Sequence, residues 1–340
     1  MRRPMETNRV AISIKGVPVE VPSVSVECWT VISTGRLPRI ASVFDEEWLE
    51  GDAVNNAEVF LTSLRNWEAK PDIFSFARKL PETKVRYPYP YEWDNVAAIP
   101  ITTYSDWWEK RVSHDLRKDV KRAEKRGVAV RRAEFDDALV RGIKELYDEA
   151  PVRQGRPFWH YGKSLEVVKR ENATYLERSD FLGAFCGEEL VGFMKIVYVD
   201  GLARMMQILA RASHSDKRPM NALIAKAVEL AAERHCSYLT YGNYTYGNKT
   251  KDSVVDFKRR NGFERIRFPR YFIPLTVRGR LAMMARLHLG VQALLPARLI
   301  YLLLYARARM RRGTPTQTEL PVQRVKSEAE PRPEQVSLQP

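Results

Sequence analysis

Between Arg265 and Thr318 the 340-residue chain contains no aspartate or glutamate, yet it carries eleven arginines there. The formal net charge is +14, so the remainder nets only +3. An excess of this sign favours anionic partners such as nucleic acid, phosphate-bearing donors or acidic membrane surfaces. Its placement matters more than its size.

Long apolar runs are also missing. LHLGVQALLPARLIYLLLYA comes nearest, but Pro296 and Arg298 interrupt it. A spanning helix needs about 20 consecutive apolar residues. The three cysteines, Cys28, Cys186 and Cys236, are far apart. They form neither a CxxC pair nor a Cys/His metal spacing, and they suit a reducing compartment. The opening MRRPMETNRVAISIKG is basic but has no apolar centre, so no secretory signal is expected and the expected location is cytoplasmic. GxSxG, HExxH and Walker-type loops are absent, as are paired carboxylates in the meander, and no metal site is expected.

The remaining features describe an ordinary globular interior. Apolar residues make up 44% of the chain and aromatics 10%. The patterning divides it into a loose leader (1–20), an N-terminal α/β lobe (21–104), a larger domain with its lead-in helix (105–275), an Arg-rich apolar segment (276–312) and a tail (313–340). The tail is rich in Pro, Gln, Glu and Ser and reads as disordered. In the first lobe, β-rich runs lie between Val24 and Val43, and helical stretches are expected at 54–70 and 72–80 on either side of Pro71. Ser105 is a candidate cap for one continuous helix, whose stripe is Trp108, Val112, Leu116, Val120 and Ala123. Its other faces carry the charges of HDLRKDVKRAEKRG, and Gly127 is placed to stop it. A strand follows at 128–135, then helices, then a three-strand meander with an Asp200-Gly201 hairpin turn. MNALIAKAVELAAERH begins a clear helix behind Pro219. SYLTYGNY reads as a strand, SVVDFKRRNGF as a short helix ending at Gly262, and ERIRFPRYFIPL as the last strand.

From residue 128 the order is strand, two helices, three antiparallel strands, helix, strand, helix, strand. With WWEKRVSHDLRKDVKRAEKRGVAV before it and DFKRRNGF near its end, residues 95–275 resemble the GNAT acyltransferase superfamily, in the form of the Fem-type (FemAB-like) aminoacyl-ligases. The resemblance implies an α/β (α+β) fold. Its mixed, mostly antiparallel sheet is flanked by helices, with a reduced N-terminal lobe and, here, C-terminal amphipathic helices. It also implies transfer of an acyl or aminoacyl group to an amine. The donor would be acyl-CoA (acetyl-CoA) or aminoacyl-tRNA, with no metal, and the acceptor an amine on a cell-envelope or polysaccharide precursor, a peptide or a small molecule.

Three stretches are candidates for that chemistry. RASHSDKRPMNAL stands where GNAT members wrap the CoA pyrophosphate with Gly-rich amides. Here His214 and Asp216 replace glycines, while Arg211, Lys217, Arg218 and Asn221 are donor-binding candidates. RQGRPFWHYGK offers Arg153, Arg156, Trp159 and Tyr161 to a substrate and His160 as a base, since histidine titrates near neutrality. YGNYTYGNK offers Asn243 and Lys249 to the donor. The resemblance leads one to expect a tyrosine in the following helix. That place falls to Phe257, or to Lys258 one residue on, so Tyr246 or Ser253 would have to supply the proton, or the leaving group would take it from water. Two other readings stay open: a catalytically degenerate assembly protein of the same fold, and an RNA-binding protein. The 276–312 segment either lies in an anionic membrane interface or packs on the domain as a hairpin.

Overall fold

The computed structural model describes residues 7–14, 17–153, 156–246 and 253–290, without the Arg156 side chain. Lys249, most of the 276–312 segment and the tail lie outside the described residues.

The N-terminal lobe contains β1 (Asn8–Ile14), β2 (Val17–Val26), β3 (Trp29–Thr34), β4 (Ile40–Val43), α1 (Ala57–Arg65) and β5 (Ile73–Ala77). Next come β6 (Tyr91–Pro100), the short α2 (Tyr104–Asp106), α3 (His114–Lys125), β7 (Val128–Ala133) and α4 (Asp137–Asp148). A two-residue pair, β8 (Val152–Arg153) and β9 (Arg156–Pro157), leads to α5 (Leu165–Asn172). The meander is β10 (Ser179–Cys186), β11 (Glu189–Val199) and β12 (Leu202–Ala210). The chain then forms α6 (Pro219–Glu233), β13 (Tyr238–Thr240), α7 (Ser253–Arg260), β14 (Glu264–Pro274) and α8 (Val277–Met284).

Twelve of these strands form one sheet in the order β1-β2-β3-β4-β5-β14-β6-β13-β12-β11-β10-β7. β14 joins the two halves. Its first part pairs antiparallel with β6 from Glu264 to Tyr271, and its end pairs antiparallel with β5 from Arg270 to Pro274. Helices cover both faces. On one face, α3 and α6 bury Leu116, Val120, Leu223 and Val228 against Leu182, Met194, Ile196 and Met205. On the other, α4 and α5 bury Ile143, Leu146, Tyr147 and Val168 against Phe181 and Phe193. α1 closes a separate core over Phe74, Phe76 and Tyr271 in the smaller lobe.

Four expectations need correction. Residues 8–14 and 17–20 of the expected leader are sheet, because β1 and β2 form a hairpin registered from Asn8↔Ser23 to Ile14↔Val17. The expected helix at 72–80 contains β5 instead. IFSFA is buried along nearly its whole length, so it lacks the alternation that marks a half-exposed strand. The lead-in is not one helix from 106. Thr103 caps α2, a π-turn carries Trp107–Arg111, Val112 is extended, and Ser113 caps α3 by accepting from Leu116 N at 3.2 Å. α8 is not amphipathic in the ordinary sense: Ala282 faces the sheet while Val277, Leu281 and Met284 face outward.

α8 approaches the sheet through a glycine. A Cβ at Gly279 would run into the Asp72 carbonyl oxygen, a backbone atom that cannot swing aside. Gly279→Ala is therefore expected to cost about 1–3 kcal/mol of unfolding free energy. Denaturant titration reads this directly, and an unchanged midpoint would show that the helix does not sit this close.

Candidate functional site

The site follows from a parting of two strands. β13 pairs parallel with β12 over three residue pairs only, from Leu202↔Tyr238 to Arg204↔Thr240. After that, Tyr241 and Gly242 stay on β6. Tyr241 N donates to Ala97 O at 2.8 Å, and Ala97 N donates to Gly242 O at 2.9 Å. β12 instead follows β11 on to Ala210. Its register shifts between Lys195↔Gln207 and Ile196↔Met205, leaving Met206 as a bulge residue at the opening. Gly242 makes the turn possible. It has φ +47°, and the Tyr246 hydroxyl lies 2.8 Å from where its Cβ would be.

Lys258 reaches this turn from α7. It is fully buried, its Nζ donates to Asn243 O at 2.6 Å, and it lies 4.7 Å from the Tyr241 ring centroid and 5.0 Å from that of Tyr246. Among the described residues no carboxylate pairs with it. Burial lowers its pKa to about 8. The helix end holds it in place. Gly262, at φ +79°, stops α7, and the Asn261 amide donates to Phe257 O at 2.8 Å. Asn221 on α6 donates to Asn261 Oδ1 at 2.9 Å, which ties the two helices together.

Asn243 also connects this lysine to a pocket on the α4/α5 face, where its side chain donates to Asp94 Oδ1 at 3.3 Å. The pocket is a cavity of about 80 Å³ reaching from Arg204 and Thr240 to Glu46, Glu47, Asp94 and Arg270. Charges of both signs meet there. Arg270 bridges Glu46 at 3.2 Å and Asp94 at 2.9 Å, and Arg204 donates to Glu47 at 3.0 Å. Burial, and then the Glu47 carboxylate, raise the Tyr246 pKa, so its hydroxyl stays protonated at neutral pH.

A second concavity, about 850 Å³, lies between α3, α6 and α7. It brings the predicted Arg218 and Asn221 together with Lys118, Arg122, Arg259 and Arg260. Arg218 is half-engaged there, 3.1 Å from Asp119.

The other predicted residues are placed differently. Arg211 is consumed by Leu190 O, Glu145 and Glu189, each within 3.2 Å. Lys217 lies 3.6 Å from Cys186 Sγ. Arg153 is engaged within the chain: it donates to Leu146 O and Ala210 O and pairs with Glu149 at 2.8 Å. Trp159 and Tyr161 are exposed. His160 is buried among Tyr147, Phe158 and Trp159, with Lys163 Nζ 3.5 Å from its Nδ1. Burial, assisted by Lys163, lowers its pKa to about 4. A base of that strength is poorly matched to deprotonating an amine near neutrality.

The anion position at the β12–α6 turn is already filled. The Glu149 carboxylate accepts from Ala212 N at 2.8 Å, Ser213 N at 3.1 Å and Ser213 Oγ at 3.0 Å. These amide bonds, opposed by desolvation, leave its pKa lowered. A fixed charge sits where the resemblance would place a pyrophosphate.

No family model matches the sequence, and no curated protein matches it. Solved structures do match. FemX superposes with a TM-score of 0.51 at 11% identity, covering 82% of this chain and 90% of that one. L-PGS from Bacillus licheniformis gives 0.50 at 15% identity, over 76% and 85%. A conserved protein of unknown function from Bacteroides thetaiotaomicron gives 0.50 at 11%, over 75% and 86%. The fold is GNAT-like, of the FemAB type. In this FemAB-like frame the parted β12 and β13 and the closing DFKRRNGF helix flank one opening. In the sequence, Lys258 stands out only as the neighbour of Phe257. Between Asp256 and two arginines it resembles surface charge, and only the Asn-Gly-Phe stop after it signals a fixed orientation.

His160 yields a pH prediction. Above pH 6.5 it is neutral in both folded and unfolded chains. Between 6.5 and 4 only the unfolded chain takes up the proton, so this residue's contribution to stability falls as pH falls through that window. Its imidazole NMR signals should titrate near pH 4, and a midpoint near 6.5 would contradict the burial.

Proposed function

We propose that the chain is an N-acyltransferase, passing an acyl or aminoacyl group from an activated, phosphate-bearing donor to an amine. The observation that carries this reading is Lys258, a desolvated ammonium at the end of the parted strands that no carboxylate pairs among the described residues. Direct attack of an amine on an activated carbonyl needs little else from the protein: orientation, a positive group for the developing oxyanion, and a proton for the leaving group. In this reading the C–N bond forms as the carbonyl oxygen gains charge near Lys258. The donor's C–O or C–S bond then breaks, and the leaving atom takes a proton from Lys258 or, through the adjacent hydroxyl, from Tyr246. The amine gives up its own proton to solvent.

The pocket beside Asn243 suits the acceptor end. The carboxylates of Glu47 and Asp94, paired with Arg204 and Arg270, keep lone pairs that can accept from an amine N–H, and the cavity of about 80 Å³ admits only the tip of a larger molecule. We infer that this molecule is a cell-envelope or polysaccharide precursor carrying a primary amine. The basic groove between α3, α6 and α7 suits the donor's phosphates. The occupied β12–α6 turn argues against acyl-CoA held by its pyrophosphate, which leaves an aminoacyl donor as the better match.

Both parts can be tested. Acetyl-CoA should leave the melting temperature unchanged, whereas aminoacyl-tRNA should raise it; the opposite ranking would reverse the donor assignment. Transfer itself is read as a new amide by mass spectrometry across amine acceptors. Lys258→Met should lower kcat by roughly 10²–10³-fold with KM nearly unchanged. The same variant should fold at least as stably as the parent, since it removes a desolvated charge. Full turnover by Lys258→Met would end the proposal.

A further inference from the structure

α8 and the turn after it present an apolar surface that no described residue covers. Val277, Leu281 and Met284 recur at i, i+4 and i+7, so they share one side of the helix. They are 68%, 59% and 82% exposed, and Leu287 just beyond the helix is 40% exposed. Isolated exposed apolar groups are common, but four clustered on one short element are not. The element is also held rigidly. Thr276 Oγ1 caps the helix by accepting from Gly279 N at 3.0 Å and donates to Asp72 Oδ1 at 2.9 Å. Gly279 and Ala282 lie against the sheet, and His288 packs on Phe272 at 4.7 Å.

The charged side chains of this element have one sign. Arg278 and Arg286 are 65% and 60% exposed, with only long contacts to Asp72 at 4.0 Å and Glu92 at 3.4 Å. Arg280 makes no side-chain bond among the described residues. The chain continues from Gly290 with VQALLPARLIYLLLYARARMRR, which adds aliphatic residues and five more arginines without an acid.

We propose that the outward side of α8 is a docking surface for an anionic lipid membrane, lying in the interface without crossing it. Apolar side chains enter the headgroup boundary while arginines reach the phosphates around them. The other occupants fit less well. The following segment has no carboxylate to offer these arginines. A second copy docking the same patch would bring the arginines of the two copies together. A nucleic acid would leave Leu281 and Met284 without partners.

The test uses the full chain and sedimentation with two kinds of vesicle, pure phosphatidylcholine and phosphatidylcholine mixed with phosphatidylglycerol. The protein should bind only the mixed vesicles, and salt should weaken the binding. Arg280→Glu should lower partitioning by at least ~5-fold, as expected from about 1 kcal/mol per basic residue near such a surface. Leu281→Ser with Met284→Ser should reduce it further without changing the unfolding midpoint, because both side chains are already in water. Three results would overturn the proposal: no binding to mixed vesicles, equal binding by both variants, or tighter binding to homopolymer RNA that Arg280→Glu abolishes in parallel. Equal binding would assign attachment to residues after 290.

Discussion

The candidate site depends on β13 being short. A strand that stayed paired with β12 over its whole length would close the sheet and bury its own amides against its neighbour. Here the pairing ends at Arg204↔Thr240, and the turn through Gly242 keeps its hydrogen bonds to β6 instead. The backbone remains satisfied on one side, so the opening costs little in unpaired polar groups. The Met206 bulge directs β12 away, Tyr246 folds back over Gly242, and α7 delivers Lys258 to the carbonyl of Asn243.

Lys258 is costly to keep where it is. Among the described residues this buried ammonium has one carbonyl partner and two ring faces, and its burial is what lowers its pKa. The surrounding structure is built to hold it. The Asn221–Asn261–Phe257 chain of hydrogen bonds fixes the end of α7, and Phe263 N closes on Lys258 O at 3.0 Å. Lys195 is the instructive contrast. It too is fully buried with a pKa lowered to about 8, but it bonds Asn172 O, Thr174 O and Thr174 Oγ1 and so clamps a loop. Among the described residues, Lys195 thus has three acceptors where Lys258 has one.

Much of the fold was legible in the sequence, because the larger domain consists of elements with strong local signals. The meander's Asp-Gly turn, Pro219 at the start of α6 and Gly262 at the end of α7 all fall where they were read. The misreadings share a cause. β5 is buried on both faces, and β1 with the first half of β2 is mostly exposed at the edge of the sheet, so neither carries a clear local period. The site was less legible. Basic residues at the β12–α6 turn looked like phosphate ligands, but Glu149, more than sixty residues away in sequence, reaches the turn's amides first. Arg153 and Arg211 were spent on carbonyls and carboxylates that only the folded chain brings near. Asn243, expected to bind the donor, lies at the opening, where its carbonyl accepts from Lys258 and its side chain donates to Asp94.

The most direct measurement is the titration of Lys258 itself, followed by NMR on protein with isotope-labelled lysine side chains and assigned by loss of the signal in a Lys258 variant. The account predicts a midpoint near pH 8. A midpoint at the ordinary lysine value of about 10.4 would mean that Lys258 is solvated, and that the parted strands hold no desolvated positive charge for an oxyanion.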